Sequence, residues 1–154
     1  MAGDRSVTTG EVDETAVPVE LGRAAVRRAG TDLTLVSWSS TANACLEAAA
    51  LLEPQGIDAE VIDLRTLWPW DRETVMASAR KTRRIVVAHE SPRVGGLGGE
   101  ILSEVAEELF GRLLAPPTRL GSPRIPVPYT KPLEDLCRVG PAQIAAAAAA
   151  LYRG

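Results

Sequence analysis

Apolar and polar positions follow two rhythms along this chain, and each change of rhythm marks an element. Residues 33 to 38, LTLVSW, form a short apolar run with β-branched and aromatic members, the pattern of a strand. Residues 39 to 56 then switch to helical spacing. Ala44, Cys45, Ala48, Leu51 and Leu52 define its apolar side, Ser40 or Thr41 can cap it, and Pro54 and Gly56 end it. The alternation repeats. Residues 58 to 64, DAEVIDL, predict a second strand, and Asp71 can cap a helix over RETVMASARK. Residues 83 to 89 predict a third strand. Residues 99 to 114 predict a helix with Ile101, Val105 and Leu109 spaced by four.

The flanks read differently. Residues 1 to 16 are polar and acidic, the composition of a flexible tail, so the folded domain is expected over residues 17 to 154. Residues 17 to 29 mix apolar and basic positions in an extended lead-in. The stretch APPTRLGSPRIPVPY holds five prolines and excludes a long regular element, leaving a fourth strand only around Thr118 to Leu120. The chain closes on GPAQIAAAAAALYRG, where Gly140 and Pro141 open a helix. Its six consecutive alanines favour close packing, with Ile144 and Leu151 as anchors. Strands and helices in this order predict an α/β domain, a mostly parallel sheet covered on both faces and joined by right-handed crossovers.

Composition narrows the function classes. The 154 residues suffice for one domain with a real core. The net charge of −3 weighs against a phosphate-binding footprint for nucleic acid. No apolar run reaches the roughly 20 residues that cross a bilayer. The first residues lack the basic-then-apolar order of a signal peptide, so a cytoplasmic protein away from membranes is expected. Cys45 and Cys137 lie far apart, and with a single histidine they make no metal cluster.

The sharpest candidate site lies within residues 84 to 110. A strand ends on His89 and Glu90, a turn rich in glycine follows (Gly95, Gly96, Gly98, Gly99), and Glu100 sits in the first helical turn. Free amides in such a turn can hold an anion, and His89 can carry a proton near neutral pH. The register is not GxGxxG, because Ile101 stands where the last glycine belongs. A packing turn and a hydrogen-bonded histidine at the sheet edge are the plainer readings. Asp63 and Arg65 fall on one side of the second strand by its two-residue period, and Trp68 and Trp70 flank Pro69 as interface anchors or buried packing. The basic set Arg80, Lys81, Arg83 and Arg84 is a solvated face or a receptor for an acidic partner. None of these residues forms a catalytic triad or a carboxylate pair.

Taken in order, DLTLVSWSS, AEVIDLRTLWPWD, RRIVVAHESPRVGGLGGEI and LLAPPTRLGSPRIPVPY with LEDL resemble the C-terminal domain of the β subunit of 2-oxoacid dehydrogenase E1 components, within the transketolase-like superfamily. The resemblance spans about residues 17 to 152. It implies a three-layer α/β/α fold with a five-stranded sheet, one strand antiparallel. The fifth strand would lie in the 17 to 29 lead-in or the proline-rich part. It also implies that thiamine diphosphate and Mg belong to the assembled enzyme and that this chain holds no cofactor. The implied partners are α-type and pyrimidine-domain subunits, a second β subunit and, in some complexes, the E2 acyltransferase. Three positions depart from the family pattern: Ser39 replaces a usual glycine, Arg124 a common aspartate and Gly140 a frequent proline. A family β subunit carries a pyrimidine-binding domain ahead of residue 17. The expectation is therefore a piece of a longer chain or a naturally split protein.

Two functions follow. One is a noncatalytic assembly subunit or domain of a split thiamine-diphosphate enzyme acting on a 2-oxoacid or a ketose. The other is a free-standing binding or scaffold protein that keeps the fold without catalysis.

Overall fold

The structure, a computed structural model, describes residues 18–154; the tail expected over residues 1 to 16 lies outside them. Among these residues five strands and five α-helices follow one another, with a short 3-10 turn (Glu53–Gln55) after α1: β1 (Ala25–Arg28), β2 (Leu33–Ser37), α1 (Ser40–Leu52), β3 (Ala59–Asp63), α2 (Arg72–Thr82), β4 (Ile85–Pro92), α3 (Leu97–Glu108), β5 (Thr118–Ser122), α4 (Lys131–Cys137) and α5 (Pro141–Arg153). The sheet runs β1-β3-β2-β4-β5. β1 pairs antiparallel with β3, and the other pairs are parallel. The antiparallel fifth strand is therefore in the lead-in.

Strand order dictates which face each helix covers. The step from β2 to β3 moves one way across the sheet, and the steps from β3 to β4 and β4 to β5 move the other way. Right-handed crossovers then put α1 on one face and α2 with α3 on the other. The cores agree. Cys45, Ala48 and Leu52 of α1 pack with Ile144, Ala148 and Leu151 of α5 against Leu33, Leu35, Val61 and Val86. On the opposite face, Val75, Met76 and Ala79 of α2 and Ile101, Val105 and Leu109 of α3 pack on Val36, Ile62, Ile85 and Val87. Burial on both faces explains why β2 reads as an unbroken apolar run. The buried Thr34 of β2 is satisfied by Ser78 at 2.6 Å and Thr82 at 2.7 Å.

Several sequence boundaries shift. α1 starts on an N-cap at Ser39 with no side-chain hydrogen bond, so neither Ser40 nor Thr41 caps it. Leu51 of α1 turns outward instead of joining the apolar side. α3 starts at Leu97, two residues early, which places Gly98 and Gly99 inside its first turn. The proline-rich stretch gives way to α4, a short helix that the sequence pattern did not mark.

Candidate functional site

In doubly wound sheets, ligands favour the crevice where neighbouring strands send their helices to opposite faces. Here that crevice lies between the carboxyl ends of β2 and β4. The loop after β2 leads to α1 on one face, and the loop after β4 leads to α3 on the other. The protein's own side chains occupy it. Trp38, just beyond β2, stacks on His89 of β4 with ring centroids 5.2 Å apart and planes 15° apart. Ser40 at the start of α1 donates its hydroxyl to the Glu90 carboxylate. Ser37 donates to the Ala88 carbonyl at 2.8 Å, tying β2 to β4 one layer below.

His89 is fully buried on an interior strand, which corrects its expected place at a sheet edge. Its Nδ1 lies 3.0 Å from the Ser91 carbonyl oxygen. A carbonyl only accepts, so Nδ1 carries the hydrogen and Nε2 presents a lone pair. That Nε2 is buried and has no partner among the described residues. Burial pushes the imidazole pKa below its ordinary value and the Arg119 charge adds to this, against the opposing pull of Ser91. The ring is thus neutral at neutral pH, and it faces protein instead of a cleft.

What it faces explains the glycines. A Cβ on Gly98 would fall 2.6 Å from Cδ2 and Nε2 of His89 and 3.1 Å from Val87 Cγ1. One on Gly96 would fall 2.6 Å from His89 Cε1. The glycines let the first turn of α3 rest on the imidazole, and only Gly95 needs a positive φ, 79°. The outer side of the turn is a shallow depression lined by Gly95, Gly96, Leu97, Gly99, Glu100 and Arg119. His89 and the glycines are therefore brought together, while Glu90 points to α1 and Glu100 is exposed in the first turn of α3.

The second candidate group separates. β3 ends at Asp63, and Arg65 takes a positive φ of 59°, so the two-residue period stops before it reaches Arg65. The Asp63 carboxylate accepts from the Arg65 backbone N–H at 3.0 Å and from the Arg27 guanidinium at 3.5 Å; the Arg65 side chain is exposed. Trp68 is 85% exposed and Trp70 only 9%, so one tryptophan is surface and the other is core. The basic set also divides. Arg80 pairs with Glu108 and Lys81 with the buried Glu60, Arg83 donates to the Arg112 carbonyl at 2.7 Å, and Arg84 lies 4.9 Å above the Tyr152 ring.

Sequence reasoning missed Trp38, Ser40 and Arg119. Trp38 and Ser40 had a usable signal, since they follow the strand that neighbours β4 at the switch point. Cys45 is no nucleophile: burial pushes its thiol up to about 12, though a Ser37 hydrogen bond works against this. A magnesium–diphosphate group does not fit the described residues. Among the described residues no three His, Cys, Asp or Glu side chains group to hold a metal, and the His89 ring closes the glycine turn from beneath.

The transketolase C-terminal domain family model matches residues 22–144. The β subunit of acetoin:2,6-dichlorophenolindophenol oxidoreductase from Cupriavidus necator is 41% identical over 145 residues, covering 94% of this chain and 43% of that subunit. The mitochondrial pyruvate dehydrogenase E1 β subunit of Pisum sativum is 40% identical over 87% of this chain and 37% of its own length. The chain therefore spans less than half the length of these relatives. A solved split-gene transketolase, an inactive β4 tetramer, superposes with a TM-score of 0.78 at 31% identity, over 94% of this chain and 46% of that one. A Pichia stipitis transketolase at 18% identity and a TM-score of 0.55 shares the fold alone. A family model matched over residues 22–144 and relatives about 40% identical over most of the chain place it: it belongs to the transketolase C-terminal domain family, homologous to the C-terminal domains of 2-oxoacid dehydrogenase E1 β subunits.

Proposed function

We propose that this chain is the assembly domain of a thiamine-diphosphate enzyme of the 2-oxoacid dehydrogenase E1 or transketolase type. Its task is to hold cofactor-bearing subunits or domains together, with the cofactor chemistry supplied by those partners. One observation carries the reading. A β-type oxidoreductase subunit matches 94% of this chain, yet the chain covers only 43% of that subunit. The geometry supports a structural role for the glycine turn, because His89 and the first turn of α3 are spent on each other. Exposed Trp68 and Tyr129 supply aromatic anchors of the kind that interfaces use.

The test is reconstitution. The chain is mixed with candidate α-type and pyrimidine-domain subunits, and thiamine-dependent turnover of 2-oxoacids, acetoin and ketose phosphates is followed. The expected result is activity that requires this chain. Equal turnover without it overturns the proposal. Self-association with no capture of any thiamine subunit would favour the free-standing scaffold instead.

A further inference from the structure

Helices of parallel sheets run against their strands, so α2 and α3 both end at the amino ends of β4 and β5, opposite His89. A groove lies between these helix ends. Leu113 gives it an apolar side above the buried Ala79 and Leu109, and Arg80, Arg83 and Arg112 give it a cationic one.

The three arginines are not equally engaged. Arg80 is paired with Glu108, a carboxylate that Arg72 also contacts at 2.7 Å. Arg83 uses only Nε, on the Arg112 carbonyl, which leaves both terminal nitrogens as donors. Among the described residues neither Arg83 nor Arg112 has a carboxylate partner. Neutralising the helix ends is the plain role for cations here, since each end carries roughly half a negative charge. Two uncompensated guanidiniums more than meet that need.

The backbone supplies a second, separate observation. Arg83 closes α2 in the left-handed region, with φ 59° and ψ 12°. Glycine is the usual residue in that position. Gly56 takes it at the end of the short 3-10 turn after α1, with φ 74°, and Gly111 takes the same conformation two residues past the C-cap of α3, with φ 70°. At the end of α2 an arginine stands in a glycine conformation, and its side chain lies in the groove.

We propose that this groove binds a small organic oxyanion. Arg83 and Arg112 hold a phosphate or carboxylate head, and an apolar body rests on the partly exposed Leu113. A planar guanidinium matches both kinds of oxyanion with paired donors. The apolar lining adds a preference for a ligand with a hydrocarbon part. This site is independent of the assembly role and lies at the far end of the sheet from the glycine turn.

The test titrates the full chain calorimetrically with phenyl phosphate, phenylacetate and inorganic phosphate. Saturable binding of at least one aromatic anion is expected, tighter than that of inorganic phosphate. The variant Arg83→Gly keeps the left-handed turn and removes the guanidinium. It should melt no lower than the parent and bind about tenfold more weakly, the worth of one charge-assisted hydrogen bond. Arg112→Gln should weaken binding likewise, and Arg153→Gln, a remote arginine, should not. Three results would each overturn the site: no saturation with either aromatic anion, unchanged affinity in Arg83→Gly, or an equal loss in Arg153→Gln.

Discussion

Ser39 leaves β2 with φ 56° and ψ −145°, a conformation that glycine adopts freely and other residues reach only under strain. Its side chain makes no capping bond in return. Ser39→Gly should therefore raise unfolding free energy by about 1 kcal/mol, the strain relieved less the entropy that glycine gains when unfolded; urea melts would show it. The family resemblance marked this position through its usual glycine, whereas local pattern pointed to Ser40 and Thr41, because periodicity locates a helix start without giving the dihedral angle of the preceding residue. His89 shows a similar limit. Its place on a strand was legible, but the strand runs on to Pro92, and its burial under Trp38 and α3 depends on contacts distant in sequence. Because burial depresses its folded pKa, the unfolded chain takes up a proton first as pH falls below about 6.5. The contribution of neutral His89 is fully present above that pH and declines as pH drops towards the depressed folded value. His89→Gln should flatten that slope in melts run between neutral and mildly acidic pH. Gly98→Ala tests the packing directly: its Cβ would meet the imidazole at 2.6 Å, and overpacking of this kind costs about 1–3 kcal/mol.

The sequence located the starts of α2 and α5 correctly, and the start of α2 carries the more consequence. Asp71 accepts from the Thr74 N–H at 3.0 Å, as its sequence position predicts. It also accepts from the Ala24 N–H at 2.9 Å, which docks the approach to β1 onto the helix start. Burial alone would raise the Asp71 pKa, but the hydrogen bonds from Ala24 and Thr74 outweigh it and hold the carboxyl below the usual range. Asp71→Ala should lose about 1–2 kcal/mol, at the upper end for a cap because two backbone donors are released together. The pH sign is opposite to a raised pKa: stability from Asp71 is present above the ordinary carboxylate pKa and fades as pH falls through the folded one, so the variant should lose less stability in acid than the parent does. β1 and α4 were harder to read. β1 is four residues long, exposed along much of its length and irregular in register at Val26 and Arg28, so it lacks an alternating pattern. α4 follows directly on a proline-rich run and buries none of its residues, which removes the apolar stripe that would reveal a helix.

At the scale of the whole molecule, the described surface is uneven in its chemistry. Ile125, Val127, Tyr129, Leu133 and Leu136 all lie within a dozen positions of one another, and all are more than half exposed. Pro126 and Pro128 remove backbone donors from the part before α4, and Leu133 and Leu136 stand on α4 itself. Scattered apolar side chains are ordinary on a monomer, but five large ones crowded into twelve positions suit a surface that another protein covers. The chain should therefore self-associate when its other partners are absent, with a mass by light scattering that rises with concentration above the monomer. The association should persist in high salt, because apolar burial and not ion pairing drives it. Tyr129→Asp combined with Leu136→Glu places two like charges in the run and should return the monomer. Both side chains are exposed, at 90% and 76%, so the double variant should melt within about 1 kcal/mol of the parent, the range for substitutions at exposed sites. A parent chain that stays monomeric at high concentration would refute self-pairing through this run. Capture of a thiamine-enzyme subunit that the double variant then loses would assign the same surface to a different chain.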